Sequence, residues 1–287
     1  MLVTFRLASF SRLLTIDRVR LLIVVALLCV APGFARLEQR TGGRLGLYAM
    51  GARSGSALYR ADERFPLLST FKLPLVVATL ARTDQRAEQL ARRIPVRWGD
   101  TVGHSPIVEE RLAAGDHDMA VRDLCMAAIR YSDNAAANLL LAQIGGPAGL
   151  TAWMREQGDT VFRLDDQEPQ LNGRPAGDER DTSTPRAMAA FIDRLVHGPM
   201  LSDSARALVL DWMRMNTTGD ARLRAGAPTG WAVGDKTGSA PHRSNDIGFL
   251  AGPGGRMVIV AVYAAETTAA DSVVDGVIAQ IAGAVTR

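Results

Sequence analysis

The chain has 287 residues, of which 47% are hydrophobic and 22% are charged, and its formal net charge is +3. This composition is ordinary for a globular enzyme with a substantial core, and it excludes collagen-like and low-complexity sequences. Because the chain has only two cysteines, a disulfide-rich scaffold is excluded as well.

The first 35 residues have the pattern of a secretory leader. Four arginines precede an apolar run from Leu21 to Ala31, and Gly33-Phe34-Ala35 places small residues at the two positions that a signal peptidase reads. The run is shorter than the roughly 20 residues needed to span a bilayer, so export is favoured over a membrane anchor. The four arginines and one aspartate of the leader account for the whole net charge of the chain. A nucleic-acid partner is therefore not expected.

Strand-like segments lie at both ends of the chain, and a helical pattern lies between them. The predicted strands are 44–50, 56–60, 231–239, 246–251 and 256–264. The predicted helices are 70–82, 118–131, 135–144, 149–157, 185–196 and 203–215, followed by an amphipathic helix at the C-terminus. We therefore predict a discontinuous domain, 36–66 with 211–287, and an inserted helical domain, 67–210. A cleft between them is a common place for an active site.

Ser69 and Lys72 open the first long helical run. Positions i and i+3 of a helix share a face, so the lysine amine can reach the serine hydroxyl and take its proton. This makes Ser69 a candidate nucleophile for acyl transfer. A serine and a lysine at this spacing are expected roughly once by chance in a chain of this length, so the pair alone is weak evidence.

Three further motifs follow in order along the chain. They are Ser132-Asp133-Asn134, Glu168-Pro169-Gln170-Leu171-Asn172 and Lys236-Thr237-Gly238-Ser239. Asp133 and Asn134 are also good helix-capping residues, because they stand directly before an apolar helical run. The whole ordered set should arise by chance in fewer than about one in a thousand unrelated chains.

Together these motifs resemble those of class A β-lactamases and the related penicillin-binding proteins, which share Ser-x-x-Lys, Ser-Asp-Asn and Lys-Thr-Gly. The resemblance extends from about Gly42 to the C-terminus. It implies an α+β fold, in which a five-stranded antiparallel sheet is flanked by helices and carries an inserted all-α lobe. It also implies a β-lactam as small-molecule substrate, no cofactor, a monomer, and secretion to the bacterial periplasm without stable membrane association after leader removal.

The resemblance further implies a role for each motif residue. Ser69 would form the acyl-enzyme, and Lys72, Ser132 and Glu168 would transfer protons. The backbone N–H groups of Ser69 and Ser239 would form the oxyanion hole. The implied substrate-binding residues are Asn134, Asn172, Lys236, Thr237, Gly238, Ser239, Arg222 and His104. Whether Lys72 or Glu168 is the base for acylation stays open.

Two of these residues stand at positions that vary among relatives. Arg222 stands where some relatives carry an arginine, and a guanidinium can hold a substrate carboxylate bidentately, but a solvated surface arginine is the alternative. His104 stands where relatives usually carry an aromatic gatekeeper, and its ring can still stack on a ligand.

One position departs from the pattern of the family. Many relatives have an arginine two residues before the loop glutamate, paired with an aspartate near the far end of the loop. Here these positions are Asp166 and Asp181. We predict repulsion across the loop neck unless Arg163, Arg174 or Arg180 compensates. A looser loop would admit bulkier cephalosporins.

Two other classes of protein fit the sequence less well. A zinc hydrolase would need clustered ligands, but the histidines are scattered and no His-Glu-x-x-His motif occurs, so no metal is expected. A D-Ala-D-Ala peptidase or a β-lactam-sensing domain would keep the serine-lysine pair but accumulate the acyl-enzyme. Penicillin-binding peptidases lack the Glu168 to Asn172 segment, so its presence favours turnover.

Overall fold

The structure is a computed structural model, and it describes residues 33–52, 55–83 and 88–287. Residues 1–32, which make up most of the predicted leader, lie outside the described residues. Within these ranges, no helix combines the length and the apolar character that crossing a membrane requires.

Eleven helices are found in the described residues. They are α1 (33–41), α2 (Lys72–Thr83), α3 (Glu88–Ala91), α4 (Pro106–Ala113), α5 (Val121–Arg130), α6 (Asn134–Gln143), α7 (Gly146–Glu156), α8 (Pro185–His197), α9 (Asp203–Arg214), α10 (Leu223–Gly226) and α11 (Asp271–Val285). Short 3₁₀ turns cover Leu68–Phe71, Trp98–Asp100, Gln170–Gly173 and Pro253–Gly255.

The same residues form nine strands, and five of them make the central sheet. The strands are β1 (Arg44–Ala52), β2 (Gly55–Tyr59), β3 (Phe65–Pro66), β4 (Arg93–Pro95), β5 (Asp118–Ala120), β6 (Thr182–Ser183), β7 (Ala232–Ala240), β8 (Arg243–Ala251) and β9 (Met257–Ala265). The central sheet is antiparallel throughout, in the spatial order β2-β1-β9-β8-β7. Because β1 pairs with β9, both ends of the chain build one sheet, and the predicted fold class is confirmed.

The two faces of this sheet are buried in two separate apolar clusters. On β9, Val258, Val260 and Val262 pack in the cluster that contains α1 and α11. Ile259, Ala261 and Tyr263 alternate with them and belong to the larger cluster, which continues into helices α2, α5, α6 and α8. Successive side chains of a strand point to opposite faces, so β9 joins the two halves of the core.

The secondary structure departs from the prediction around α4 and α5. The helix predicted over 118–131 begins only at Val121, because residues 118–120 pair with β4, with Arg93 opposite Ala120. Helix α4 was not predicted, although a proline at the first helical position, here Pro106, is a start signal.

Helix α1 runs through the predicted end of the leader at Ala35. Phe34 is only 5% exposed, and its ring centroid lies 6.4 Å from that of Tyr59. Burying a phenylalanine side chain contributes about 1.5–3 kcal/mol. Cleavage after Ala35 would remove this ring, so the cleavage position predicted from sequence conflicts with the packing.

Two of the sequence motifs, those of Ser69 and Lys236, meet where edge strand β7 packs against the 3₁₀ turn that precedes α2. This approach depends on Gly238. A Cβ atom at Gly238 would lie 2.8 Å from Cβ of Leu68 and 3.2 Å from the backbone nitrogen of Ser69. A glycine is therefore required here for the strand to lie against the turn.

Asp133 holds two helices together at their N-termini. Its Oδ1 accepts from the N–H of Ala136 at 2.9 Å and so caps α6. Its Oδ2 accepts from the N–H groups of Ile107 at 2.9 Å and Val108 at 3.1 Å, in the first turn of α4. The sequence predicted the first of these roles and not the second.

Replacing Asp133 by alanine is expected to lower the free energy of unfolding by about 2–4 kcal/mol, because two helix ends lose an acceptor. Urea unfolding followed by circular dichroism measures the change. Asp133→Asn keeps one carbonyl acceptor and should lose less. Asp116→Ala removes only an exposed pair with Arg111 and should cost less than about 1 kcal/mol. Equal losses for the two alanine variants would contradict the double-cap assignment.

Candidate active site

Ser69 lies in the 3₁₀ turn that leads into α2. Its hydroxyl donates to Oε1 of Glu168 at 3.1 Å and accepts from Nζ of Lys72 at 2.9 Å. The preceding residue, Leu68, has a left-handed backbone with φ of 50° although it is not a glycine. Such a conformation is strained and persists only where packing enforces it. Leu68 is fully buried beside β7, which supplies that packing.

Lys72 is fully buried and is surrounded by oxygen atoms. Its Nζ lies 3.0 Å from Oε1 of Glu168 and donates to the side chain of Asn134 at 2.6 Å and to the carbonyl of Ser132 at 2.8 Å. Burial lowers the pKa of Lys72, and the nearby Glu168 carboxylate opposes that shift. A lysine with a lowered pKa is better suited to accept a proton than an exposed one.

The segment between α7 and β6 brings Glu168 to Ser69. Glu168 is 1% exposed, and its Oε2 accepts from the amide of Asn172 at 2.6 Å. Asn138 of α6 fixes the backbone of Glu168 twice, donating to its carbonyl at 2.8 Å and accepting from its N–H at 3.0 Å. The carboxylate is therefore held in place at both its backbone and its side chain.

Ser132 links the two lysines of the site. Its Oγ accepts from Nζ of Lys236 at 3.0 Å and from Nζ of Lys72 at 3.4 Å. Ser132 lies just before α6 and has a left-handed backbone with φ of 56°. Its side chain lies between the two amines. Burial, and then the charge of Lys72, lowers the pKa of Lys236 well below its usual range. Protons can pass along this chain of three groups.

Asn134 and His104 lie beside each other at the edge of the site. The N–H of Asn134 donates to the carbonyl of His104 at 2.8 Å. The exposed ring of His104 lies with Nε2 3.0 Å from the carbonyl of Tyr131. His104 therefore supports the Ser132 turn, and its outer ring face remains open.

The end of β7 supplies Thr237, Gly238 and Ser239. The Thr237 hydroxyl lies 2.5 Å from that of Thr218, and the Ser239 hydroxyl accepts from Nη2 of Arg222 at 2.8 Å. These contacts orient two hydroxyl groups on the strand beside Lys236.

Arg222 fits neither of the two settings considered from the sequence. It is 7% exposed, so it is not a solvated surface residue. Besides Ser239, its guanidinium donates to Asp275 at 2.7 Å and to the carbonyls of Gly238 at 3.1 Å and Asn245 at 2.8 Å. With its donors engaged behind β7, Arg222 is not presented for the bidentate carboxylate contact that the sequence suggested.

Comparisons with known proteins identify this constellation. Residues 31–287 match the family model described as the β-lactamase enzyme family. The chain is 47% identical over 258 residues to the carbapenem-hydrolyzing β-lactamase KPC of Klebsiella oxytoca, covering 88% of this chain and 86% of that protein. It is 47% identical over 239 residues to a β-lactamase of Mycobacterium tuberculosis, covering 81% of this chain and 76% of that one.

A solved structure agrees with these relatives. The last common ancestor of Gram-negative class A β-lactamases superposes with a TM-score of 0.84 at 49% identity, covering 88% of this chain and 97% of that one. The chain belongs to the class A β-lactamase family. It is a serine-type hydrolase of β-lactams.

In this β-lactamase the expected repulsion at the loop neck is compensated. Arg174 forms ion pairs with both Asp166 and Asp181, the latter at 3.1 Å between Nε and Oδ2. Oδ1 of Asp181 also accepts from the N–H groups of Asp165 at 2.8 Å and Asp166 at 2.9 Å. A looser loop was expected only if the two carboxylates lacked a cation between them. Because Arg174 supplies this cation, the reason for expecting a looser loop no longer holds.

Two residues of the β-lactamase site were missed by the sequence reasoning. Asn138 lies four residues after Asn134 on the same face of α6, so helical periodicity could have indicated it. Arg243 donates to backbone carbonyls of the loop after Glu168. No local pattern in the sequence indicates that contact, because the two segments lie about 70 residues apart.

Replacing Arg174 by alanine is expected to destabilise the β-lactamase by about 3 kcal/mol at neutral pH, because a buried carboxylate loses its cation. Burial raises the pKa of Asp181 above its usual range. Between the pKa of the unfolded state and that of the folded state, the native protein therefore binds more protons, and its stability falls as the pH rises through this window. Without Arg174 the pKa of Asp181 rises further. The loss of stability should therefore be larger near pH 7 than near pH 4.

Urea unfolding at several pH values measures this effect. Arg180→Ala is the matched control, since Arg180 is exposed and pairs with Asp178 at the loop surface. A loss for Arg174→Ala that is independent of pH would contradict the assignment.

Proposed function

We propose that this β-lactamase opens the ring of penicillins and cephalosporins through an acyl-enzyme on Ser69. The observation that carries the proposal is the position of the Ser69 hydroxyl, within hydrogen-bond distance of both Lys72 and Glu168. A nucleophile flanked by a buried amine and a buried carboxylate can lose its proton in one step and use the same carboxylate for hydrolysis in the next.

In the acylation step the Ser69 proton passes to the Lys72 and Glu168 pair as Oγ attacks the lactam carbonyl carbon. The carbon–nitrogen bond of the ring then breaks, and the nitrogen takes a proton from Ser132, which Lys236 and Lys72 hold by hydrogen bonds. Lys72 returns a proton to Ser132, so the proton taken from Ser69 reaches the nitrogen and Glu168 is left as a carboxylate. The N–H groups of Ser69 and Ser239 stabilise the oxyanion. Their position at the junction of the 3₁₀ turn and β7 supports this role.

Substrate binding is assigned to the residues around this centre. Lys236, with the hydroxyls of Thr237 and Ser239, offers a positive, hydrogen-bonding end for the β-lactam carboxylate. Arg222 acts through Ser239. Asn134 and Asn172 offer amide groups to the substrate side chain, and the open ring face of His104 forms the rim.

In the deacylation step Glu168 takes a proton from a water molecule, and the water oxygen attacks the ester carbon. The ester bond breaks and the proton returns to Ser69. Asn172 holds Glu168 and shares in positioning the water, as the 2.6 Å bond between the two side chains supports.

Replacing Glu168 by glutamine is expected to preserve burial and to remove the base for hydrolysis. With nitrocefin, the wild type should develop colour through many turnovers, whereas Glu168→Gln should be slowed by at least about 100-fold and retain a covalent adduct visible by mass spectrometry. Glu109→Gln, an exposed change on α4, is the matched control and should behave as wild type.

Two results would count against the proposal. If the wild type itself stopped at one equivalent of product, the chain would be a peptidase or sensor that acylates without turnover. If Glu168→Gln turned over normally, the base would lie elsewhere.

We also propose that the protein is exported to the periplasm and confers β-lactam resistance there. Because Phe34 is packed in the core, we place leader cleavage before residue 33. In a susceptible Gram-negative host, the full chain should raise the inhibitory concentration of ampicillin, and a chain starting at Gly33 should not, although its lysate hydrolyses nitrocefin. N-terminal sequencing of periplasmic protein tests the boundary. Equal protection by both chains would contradict export.

A further inference from the structure

The loop that carries Glu168 and Asn172 is attached to the sheet through Arg243. Arg243 is the first residue of β8 and lies opposite Ala265 of β9. Its Nη1 donates to the carbonyl of Asn172 at 2.9 Å, and its Nη2 donates to the carbonyl of Arg174. One planar guanidinium thus fixes two backbone positions, a contact that a single-nitrogen cation cannot reproduce in full.

On the other side, the same loop is attached to the helical part through Asn138. That side chain binds the backbone of Glu168 as both donor and acceptor. In the hydrogen bonds of the described ranges, Asn138 and Arg243 are the side chains that tie the backbone of 168–174 to α6 and to the central sheet. Two sets of hydrogen bonds, one from each side, therefore hold the backbone around Glu168 and Asn172.

Packing and hydrogen bonds hold different parts of the loop. Leu171 is fully buried in the larger cluster, and it fixes one side chain of the loop. A cavity of about 580 Å³ lies beside the residues that follow, lined in part by Pro66, Pro175, Gly177 and Arg243 itself. Between Leu171 and these residues, Arg243 holds the carbonyls of Asn172 and Arg174.

We propose that Arg243 is a positioning residue for deacylation. By fixing the carbonyl of Asn172 it fixes the Asn172 amide, which holds Oε2 of Glu168. This inference rests on the proposed function, in which Glu168 activates the hydrolytic water. Arg243 has no hydrogen bond to Ser69, Lys72 or Ser132 in the described structure. In acylation Lys72 contacts the Ser69 hydroxyl directly at 2.9 Å, so we expect this step to depend on Arg243 much less than deacylation does.

A displacement of about 1 Å at a reacting group can reduce a rate by about 100-fold. We therefore expect Arg243→Ala to lower the deacylation rate constant by about 10- to 100-fold and the acylation rate constant by less than about threefold. The selective loss should convert steady nitrocefin turnover into a burst followed by a slow phase. Arg243→Lys keeps the charge and one donor, so it should fall between alanine and wild type.

Stopped-flow absorbance with nitrocefin separates the two rate constants, and mass spectrometry after acid quench gives the fraction of acyl-enzyme at steady state. Arg206→Ala is the matched control, because Arg206 also binds carbonyls, those of Leu195, Gly198 and Leu201, far from the site. Thermal unfolding of each variant shows whether the two arginines matter equally for stability. The control should lose stability without a burst.

The inference is overturned if Arg243→Ala shows no burst, if both rate constants fall together, or if Arg206→Ala gives the same burst. Its failure is separable from failure of the proposed function. If Glu168→Gln accumulates acyl-enzyme and Arg243→Ala does not, only the role of Arg243 is refuted. If Glu168→Gln also turns over normally, the assignment of the base is refuted first.

Discussion

The site depends on the buried ion pair between Lys72 and Glu168. Both side chains are fully withdrawn from water, with 3.0 Å between Nζ and Oε1. Removing such ions from water costs several kcal/mol each, and their attraction offsets this only when the remaining donors and acceptors are also satisfied. Asn134, Ser132 and Asn172 satisfy them. The contacts that stabilise this buried pair are therefore also the contacts that place both charged groups beside Ser69.

A second group of buried ionisable groups surrounds Lys236 on β7 and β8. Asp235 precedes Lys236 on β7 and is neutralised by an ion pair with Arg224 and a hydrogen bond from Asn216 at 3.0 Å. Burial, and then the charge of Asp235, raises the pKa of Asp246 on the neighbouring strand well above its usual range. The charged form of Asp246 is therefore disfavoured beside β7.

The four sequence motifs of the candidate site come from different kinds of structural element. Ser69 and Lys72 lie at the start of a buried helix, Ser132 lies in a turn fixed by Asp133, and Lys236 lies on a sheet strand. Glu168 alone lies in a long connection between elements. Sites on helices and strands keep their geometry through packing, whereas a loop residue needs dedicated hydrogen bonds. Asn138, Asn172 and Arg243 supply these bonds around Glu168.

The sequence by itself determined the strands of the central sheet, most of the long helices, the family, and the residue types of the candidate site, because short motifs and two-residue or 3.6-residue periodicity are local properties. It missed α4 and the short pairing of β4 with β5. The sequence could not predict that Arg222 is buried behind β7 and donates to Ser239. Nor could it choose Arg174 among three arginines as the partner of Asp166, or predict that Arg243 binds the loop. Each of these contacts depends on which segments, distant in sequence, pack against each other. Only the tertiary structure decides this, because several partners of suitable charge are available to one arginine.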